Sequence, residues 1–397
     1  MNSLYRPVAL GIYALFFLIG VIYALIIPTL SLFLAKEIGV RPLLVAVPFA
    51  GVALASIFYN HFIGNWSDKL ADRRPLIGIF SSLGCVVCLV LAYSRGYWVI
   101  ALTIMCFLSL AMVAYSQVLA YSLDYANRNV PVERRTLFNS IVRAQIAMAW
   151  VAGPPAGFIV VNYMGFQFLY LLVMAMFALV ALLGMKLLPN LQSSPHQIND
   201  HNTFDIQPLT AQQKRALLLC VIGFSCMWSA NNVYLISLPL YLKDDLKLGT
   251  DWVGWIMGTC ALLEVPCMLL AGHYAARINI MSLIKLGGIS ALVLYAGVYV
   301  ATDLWQFFVL QIFNAIFIGI LAGLGVSLVQ QVLPGRSGAA SALYTNTTHM
   351  GGLLSSLVVA VVADRYGYHQ VFIVSVGLIA AAILAFSAMR NAHPDKS

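Results

Sequence analysis

Three ionisable residues lie deep inside long apolar runs, where a charge is costly and calls for a reason: Asp124, Arg143 and Glu264. Asp124 shares a helical face with Gln117 and Tyr121 through i, i+4, i+7 spacing, and Arg143 falls at similar depth in the next run, as its natural ion-pair partner. Two readings of that pair stay open: a structural salt bridge, or a direct part in substrate binding or proton linkage. Glu264 sits beside Pro266 with no charged partner near it in sequence. A carboxyl group there is a candidate for proton coupling or ligand binding; the alternative is a protonated glutamate that hydrogen-bonds another helix.

A second set is neutral. Trp228, Asn231 and Asn232 share one apolar run, Gln311 and Asn314 another, and Asn346 and His349 a third. The last two pairs have i, i+3 spacing, so each shares a face. Amides beside aromatic rings suit an uncharged, polyhydroxylated ligand, whose hydroxyls donate and accept. Taken singly, each amide also serves as glue between helices. No enzyme or metal constellation joins them. His61, His273, His349 and His369 lack ligand spacing, and no phosphate-binding loop, nucleophile elbow or dinucleotide fingerprint occurs in its required context. No cofactor or metal is expected. Without a nucleotide site, the energy source is expected to be an ion gradient.

The elements that must position these residues are helices in lipid. Of 397 residues, 61% are hydrophobic and 9% charged, with mean hydropathy +0.89. A soluble surface of that size needs about 25% charged residues. A span takes about 20 mainly apolar residues, and twelve such segments appear, near 8–35, 43–66, 75–94, 97–124, 136–161, 166–188, 214–242, 251–273, 281–301, 304–333, 338–362 and 368–390. The short alternating strands of a membrane β-barrel are absent from the pattern. The expected fold is therefore an all-α membrane protein of twelve transmembrane helices in two pseudo-symmetric six-helix bundles. Residues 1–188 form the first bundle, 189–213 a hydrophilic cytoplasmic linker and 214–397 the second bundle. SLFLAKEI at 31–38 parallels PLYLKDDL at 239–246, and the same offset carries Gly64 and Lys69 onto Gly272 and Arg277. Repeated halves place a transporter's binding site at their interface near the midplane.

The formal net charge of +8 is topological. With the N-terminus inside, fifteen Lys and Arg residues fall in cytoplasmic loops and six outside, which puts both termini in the cytoplasm. The basic residues form no patch with interleaved aromatics, so nucleic acid is not an expected partner. The first apolar run is too long for a cleavable signal and is expected to be retained. The seven cysteines all lie in apolar runs and read as small buried hydrophobes.

Two motifs are expected to govern conformational change. The run Gly64-Asn-Trp-Ser-Asp68-Lys69-Leu-Ala-Asp72-Arg73-Arg74 resembles the G-x-x-x-D-R-x-G-R-R/K signature of the major facilitator superfamily, with one residue inserted and Lys69 in place of Arg. Glycine allows close helix approach, and the acid accepts from a helix N-terminus or an Arg to latch the cytoplasmic side. Ala276 stands at the matching acid position of the second half, so one such latch is expected. Gly153-Pro154-Pro155-Ala156-Gly157 resembles the GPxxG element of exporters in that superfamily. The alternatives are ordinary positive-inside loop charge and a simple proline kink.

Together with PTLSLFLAKEIG (28–39), SDKLADRRPL (67–76), FNSIVRAQIAMAWVAGPPAGF (138–158) and LPGRSGAASALYTNT (333–347), these stretches make the chain similar to bacterial sugar efflux transporters of the superfamily. The resemblance implies twelve helices in two pseudo-symmetric bundles and export of sugars or sugar analogues against proton entry; the protein is expected to work in the inner membrane as a monomer, by alternating access. The matched positions are Arg143 and Gln145 of VRAQ, the Gly153-Pro154 kink and Asn346 of TNT, and Asp124 falls where the family carries an acid. The rival readings are a multidrug/proton antiporter of the same fold, which the aromatic content allows, and a sensor or scaffold that moves nothing.

Overall fold

The computed structural model describes residues 6–67, 70, 72–190, 209–334 and 336–390. They are helical almost throughout, because backbone N–H and C=O groups in an apolar run have no other partners than those within the helix. Helix α1 (Pro7–Leu32) continues into a π-helical turn, Phe33–Glu37. Helices α2 (Pro42–Ser67), α3 (Arg74–Tyr93) and α4 (Tyr97–Asn129) follow, the last with a π turn at Ile104–Leu108. The next helical stretch, Val132–Lys186, is broken at Gly165 (φ 81°, ψ 170°), which divides it into α5 (132–164) and α6 (166–186). The second half holds α7 (Ala211–Asp244), α8 (Asp251–Tyr274), α9 (Ile280–Val300), α10 (Leu304–Val332), α11 (Ser337–Val358) and α12 (Val371–Arg390).

Eleven of the described helices are long and apolar enough to cross a membrane, and one of them, Leu137–Lys186, is 50 residues long. At 1.5 Å per residue a continuous helix of that length would be about 75 Å long, more than twice the hydrocarbon thickness. The break at Gly165 resolves it into two spans, which makes the expected twelve. Gly367, just before α12, has nearly the same backbone conformation (φ 85°, ψ 170°). The same left-handed joint thus separates the last two helices of each half, a repeat not visible in the residue matches above.

Local signals set the helix ends. Pro7 and Pro42 occupy first-turn positions, where the missing N–H costs nothing. Thr210 and Gln213 form a capping box at the start of α7, and Asp303 with Gln306 forms one at α10. Large apolar side chains such as Leu54, Phe58, Trp98, Leu269 and Leu384 are exposed, as a lipid-facing surface requires. All seven cysteines are free.

The chain forms two compact units: residues 1–39 with 51–205, and residues 40–50 with 206–397. In the first unit α1 crosses α5 closely. A methyl group at Gly153 would collide with the Ala24 side chain, and at Gly157 it would stand 3.2 Å from Leu25. The GPxxG element is thus the tight face of the α1–α5 crossing. In the second unit α7 packs on α11 and α12, and α10 packs on α8 and α9.

Candidate functional site

The loop between α2 and α3 folds back onto the end of its own unit. Arg74, in the first turn of α3, grips Asp72: its Nε lies 3.0 Å from each carboxylate oxygen and its Nη2 2.7 Å from Oδ2. The Arg74 backbone N–H also donates to Asp72 Oδ1 at 3.0 Å, and Nη1 donates to the Leu188 carbonyl at 3.1 Å. This fork holds the Asp72 carboxyl below its ordinary pKa, against the smaller opposing effect of burial.

Arg73 points to α4. Its Nε lies 3.5 Å from Asp124 Oδ2, and its Nη1 donates to Ser67 Oγ (3.2 Å) and Gln117 Oε1 (3.4 Å). Gln117 in turn donates to Ser67 Oγ at 3.3 Å. Tyr121 on the same face donates its hydroxyl to the Pro189 carbonyl at 2.8 Å. The expected face of Gln117, Tyr121 and Asp124 is real, but it serves the α2–α3 loop and the exit of α6.

The expected pairing of Asp124 with Arg143 is therefore corrected: Asp124 is bound by Arg73. Spacing along a run gives depth in the membrane and leaves azimuth free, and α4 lies against α3. Arg143 is exposed and makes no hydrogen bond or ion pair with any described residue. Its electrostatic neighbour is Tyr115, whose ring meets Phe16 (centroids 5.7 Å apart) and Tyr23 (6.3 Å). Tyr23 and Tyr115 were missed in the sequence; the available signal was two tyrosines on otherwise apolar runs. Gln145, one turn from Ile141, donates to that residue's carbonyl at 3.4 Å.

In the second unit Glu264 is partly buried and likewise makes no hydrogen bond or ion pair among the described residues; its electrostatic neighbours are the thiols of Cys260 and Cys267. Gln311 and Asn314 lie buried at the core of this unit and are bonded to each other. Gln311 Oε1 accepts from the Tyr234 hydroxyl (3.3 Å) and from Asn314 Nδ2 (2.9 Å), while its Nε2 donates to the Phe307 carbonyl (2.7 Å). Asn314 Oδ1 is left buried without a partner. Asn232 bonds the Trp228 carbonyl at 2.9 Å, and the Trp228 ring lies 6.4 Å from that of Tyr344. Asn231 is partly buried, His349 is partly buried with a partner of its own, and Asn346 is exposed.

Of the motif residues, Gly64 lies near the end of α2, and Asp68 and Lys69 lie outside the described residues. Asp72 and Ser67, not singled out by sequence, carry the contacts made by Arg74 and Arg73. The signal for Asp72 was the acid two positions before an Arg. No group of three or more His, Cys, Asp or Glu residues that could hold a metal occurs among the described residues.

The family model of the Major Facilitator Superfamily matches residues 12–304. Sugar efflux transporter A of Dickeya chrysanthemi is 36% identical over 375 residues, covering 94% of this chain and 94% of that protein. Sugar efflux transporter C of Escherichia coli K12 is 34% identical with the same coverage. Among solved structures, the nucleoside transporter NupG superposes with a TM-score of 0.77 at 15% identity, over 96% of this chain and 98% of that one, and at that identity the likeness is one of fold. The chain is a multi-span membrane protein of the Major Facilitator Superfamily, in the same family as these two bacterial relatives.

Proposed function

We propose that this protein is a secondary active exporter of sugars or sugar analogues in the bacterial inner membrane, driven by proton antiport through alternating access. The observation that carries the substrate class is its 36% identity, over nearly the whole of both chains, to a protein named for sugar efflux. Residues 1–188 and 214–397 are the two moving bundles and residues 189–213 the cytoplasmic tether, with both termini in the cytoplasm. The protein acts as a monomer.

The charge distribution supports the division of labour. Arg143, exposed beside Tyr115, whose ring in turn meets Tyr23, has five N–H donors and no ion pair among the described residues. Those donors suit sugar hydroxyls, and the tyrosine faces suit the ring's C–H surface. Gln117 and Tyr121, by contrast, are committed to the loop network, so their share in binding is indirect. On α8, Glu264 takes up and releases the coupling proton, since a partly buried carboxyl with no cation bound to it changes charge without breaking an ion pair. Trp228, Asn231, Asn232, Asn346 and His349 supply the second unit's polar contacts. Gly153, Pro154 and Gly157 let α5 rock on α1.

Everted vesicles containing the overproduced protein test this reading. Labelled sugars are expected to accumulate when a proton gradient is imposed, and to be released when it is collapsed. Uptake of cationic dyes without any sugar uptake would sink the sugar assignment in favour of a multidrug exporter.

A further inference from the structure

Helix α2 is divided between the two units: residues 42–50 belong to the second and residues 51–67 to the first. Pro48 lies just before the division and removes one helical N–H bond there. At the start of the helix, Pro42 has no N–H to satisfy, and Arg41 ahead of it has no side-chain acceptor. The Leu44 and Val45 N–H groups turn back to the Arg41 carbonyl (2.9 and 3.1 Å). The first free donor of the helix is thus the Leu43 N–H, and it donates to Asp364 Oδ1 at 3.2 Å, from a residue 321 positions away.

Asp364 is well placed to hold this position. It follows directly on the π-helical turn Val359–Ala363 that ends α11, and it precedes the left-handed Gly367. Backbone geometry on both sides therefore sets where the carboxylate points. The contact is exposed and is a single bond. A carboxylate on an exposed helix N-terminus shifts an equilibrium by a factor of about two to five, enough to bias a conformational step and weak enough to be released in each cycle.

We propose that Asp364 is a positioning residue for transport: by capping the start of α2 it holds the first turns of that helix in the second unit, and its release is a step of the cycle. A rearrangement of one unit against the other is expected to bend α2 near Pro48 or to free its first turns, and Asp364 adds to the cost of freeing them beside the burial of Val45 and Ala46. The proposal rests on the transporter reading for its role in turnover, but its structural core is read without substrate.

The test uses the full chain in vesicles with Ala46→Cys as a reporter, a position buried while the first turns of α2 are held. Its labelling rate with a hydrophilic maleimide, measured without sugar, is compared in proteins carrying Asp364, Asp364→Ala, Asp364→Asn and Asp364→Glu. Labelling is expected to rise about two- to fivefold in the alanine variant, less in the asparagine variant, and to return towards the starting rate in the glutamate variant. Sugar efflux by the alanine variant should change in turnover with KM held, which a mere loss of folded protein would not produce. Equal labelling rates across the series, in variants of normal abundance, would overturn the proposal. If the alanine variant fails to reach the membrane, the asparagine and glutamate variants decide it by the same comparison. Absence of sugar transport in the unaltered protein would instead strike the functional reading and leave the labelling result standing.

Discussion

The two units treat their intramembrane polar groups in opposite ways. In the first, Asp124 is answered by Arg73, and the neighbouring Gln117 and Tyr121 are committed to Ser67, Arg73 and the Pro189 carbonyl. In the second, neutral groups bond one another, with Tyr234, Gln311 and Asn314 in a buried network that leaves only the Asn314 Oδ1 of its members' side-chain oxygens unanswered, while the acid Glu264 stands without an ion pair among the described residues. On the proposed reading a committed charge is structural, because moving its proton would cost the partner's interaction as well. An uncommitted one is free to work. Arg143, a cation within a span of the first unit with no ion pair among the described residues, keeps its proton but leaves its N–H donors uncommitted.

The largest test of this contrast is Glu264→Gln. It is expected to reduce proton-driven sugar efflux by at least about tenfold, equivalent to roughly 1.4 kcal/mol in the barrier, while sugar counterflow, which needs no net proton movement, is kept. Unchanged pH dependence of efflux would return Glu264 to a structural role. The committed pair should behave differently. Arg73→Ala and Asp124→Asn are each expected to lower thermal stability in detergent, and a double-mutant cycle should give a coupling of about 1 kcal/mol. A coupling near zero would place the working charge on Asp124 and blur the distinction between the units.

Packing gives a sharper local test. Gly→Ala in a helix interior ordinarily stabilises by roughly 0.5–1 kcal/mol. At Gly153 the added methyl meets the Ala24 side chain, so Gly153→Ala is expected to destabilise by about 1–3 kcal/mol. Ala24→Gly in the same protein should recover part of the loss, and thermal melts of the three proteins check it. The smallest effect belongs to Asp72. Its carboxyl is held below the ordinary pKa by the Arg74 fork, so the contact stabilises above that ordinary value and is lost as pH falls through the lowered one. The stability gap between the unaltered protein and Asp72→Asn should be no more than about 1 kcal/mol near neutrality, because the pair is partly solvated, and should close in acid. A gap that widened in acid would reverse the sign of the argument.

The spans were legible because lipid imposes a single rule, about 20 apolar residues per crossing, and the boundary near 161–166 falls on Gly165 as the pattern indicates. The packing role of Gly153 was readable for a similar reason: small residues at one helix face mean a close neighbour. Partners were not readable. Asp124 was matched with Arg143 from depth alone, whereas the answer depended on which helix lay beside α4. The π turns at Phe33–Glu37, Ile104–Leu108 and Val359–Ala363 are apolar like their surroundings and leave no compositional trace. The Asp364 contact joins residues more than three hundred positions apart, and no local pattern announces it.

The grip of Arg74 and Tyr121 on the carbonyls of Leu188 and Pro189 has one more effect. It fixes the point from which the connection to the second half is paid out. From residue 190 to residue 209 that connection reaches at most about 65–70 Å when fully drawn. Doubling the length of a connection adds only about 0.6 kcal/mol to the cost of closing it. Inserting a few polar residues near position 200 should therefore be tolerated. Loosening the grip at its origin should be felt inside the first unit, as a looser hold of α3 and α4 on the end of α6.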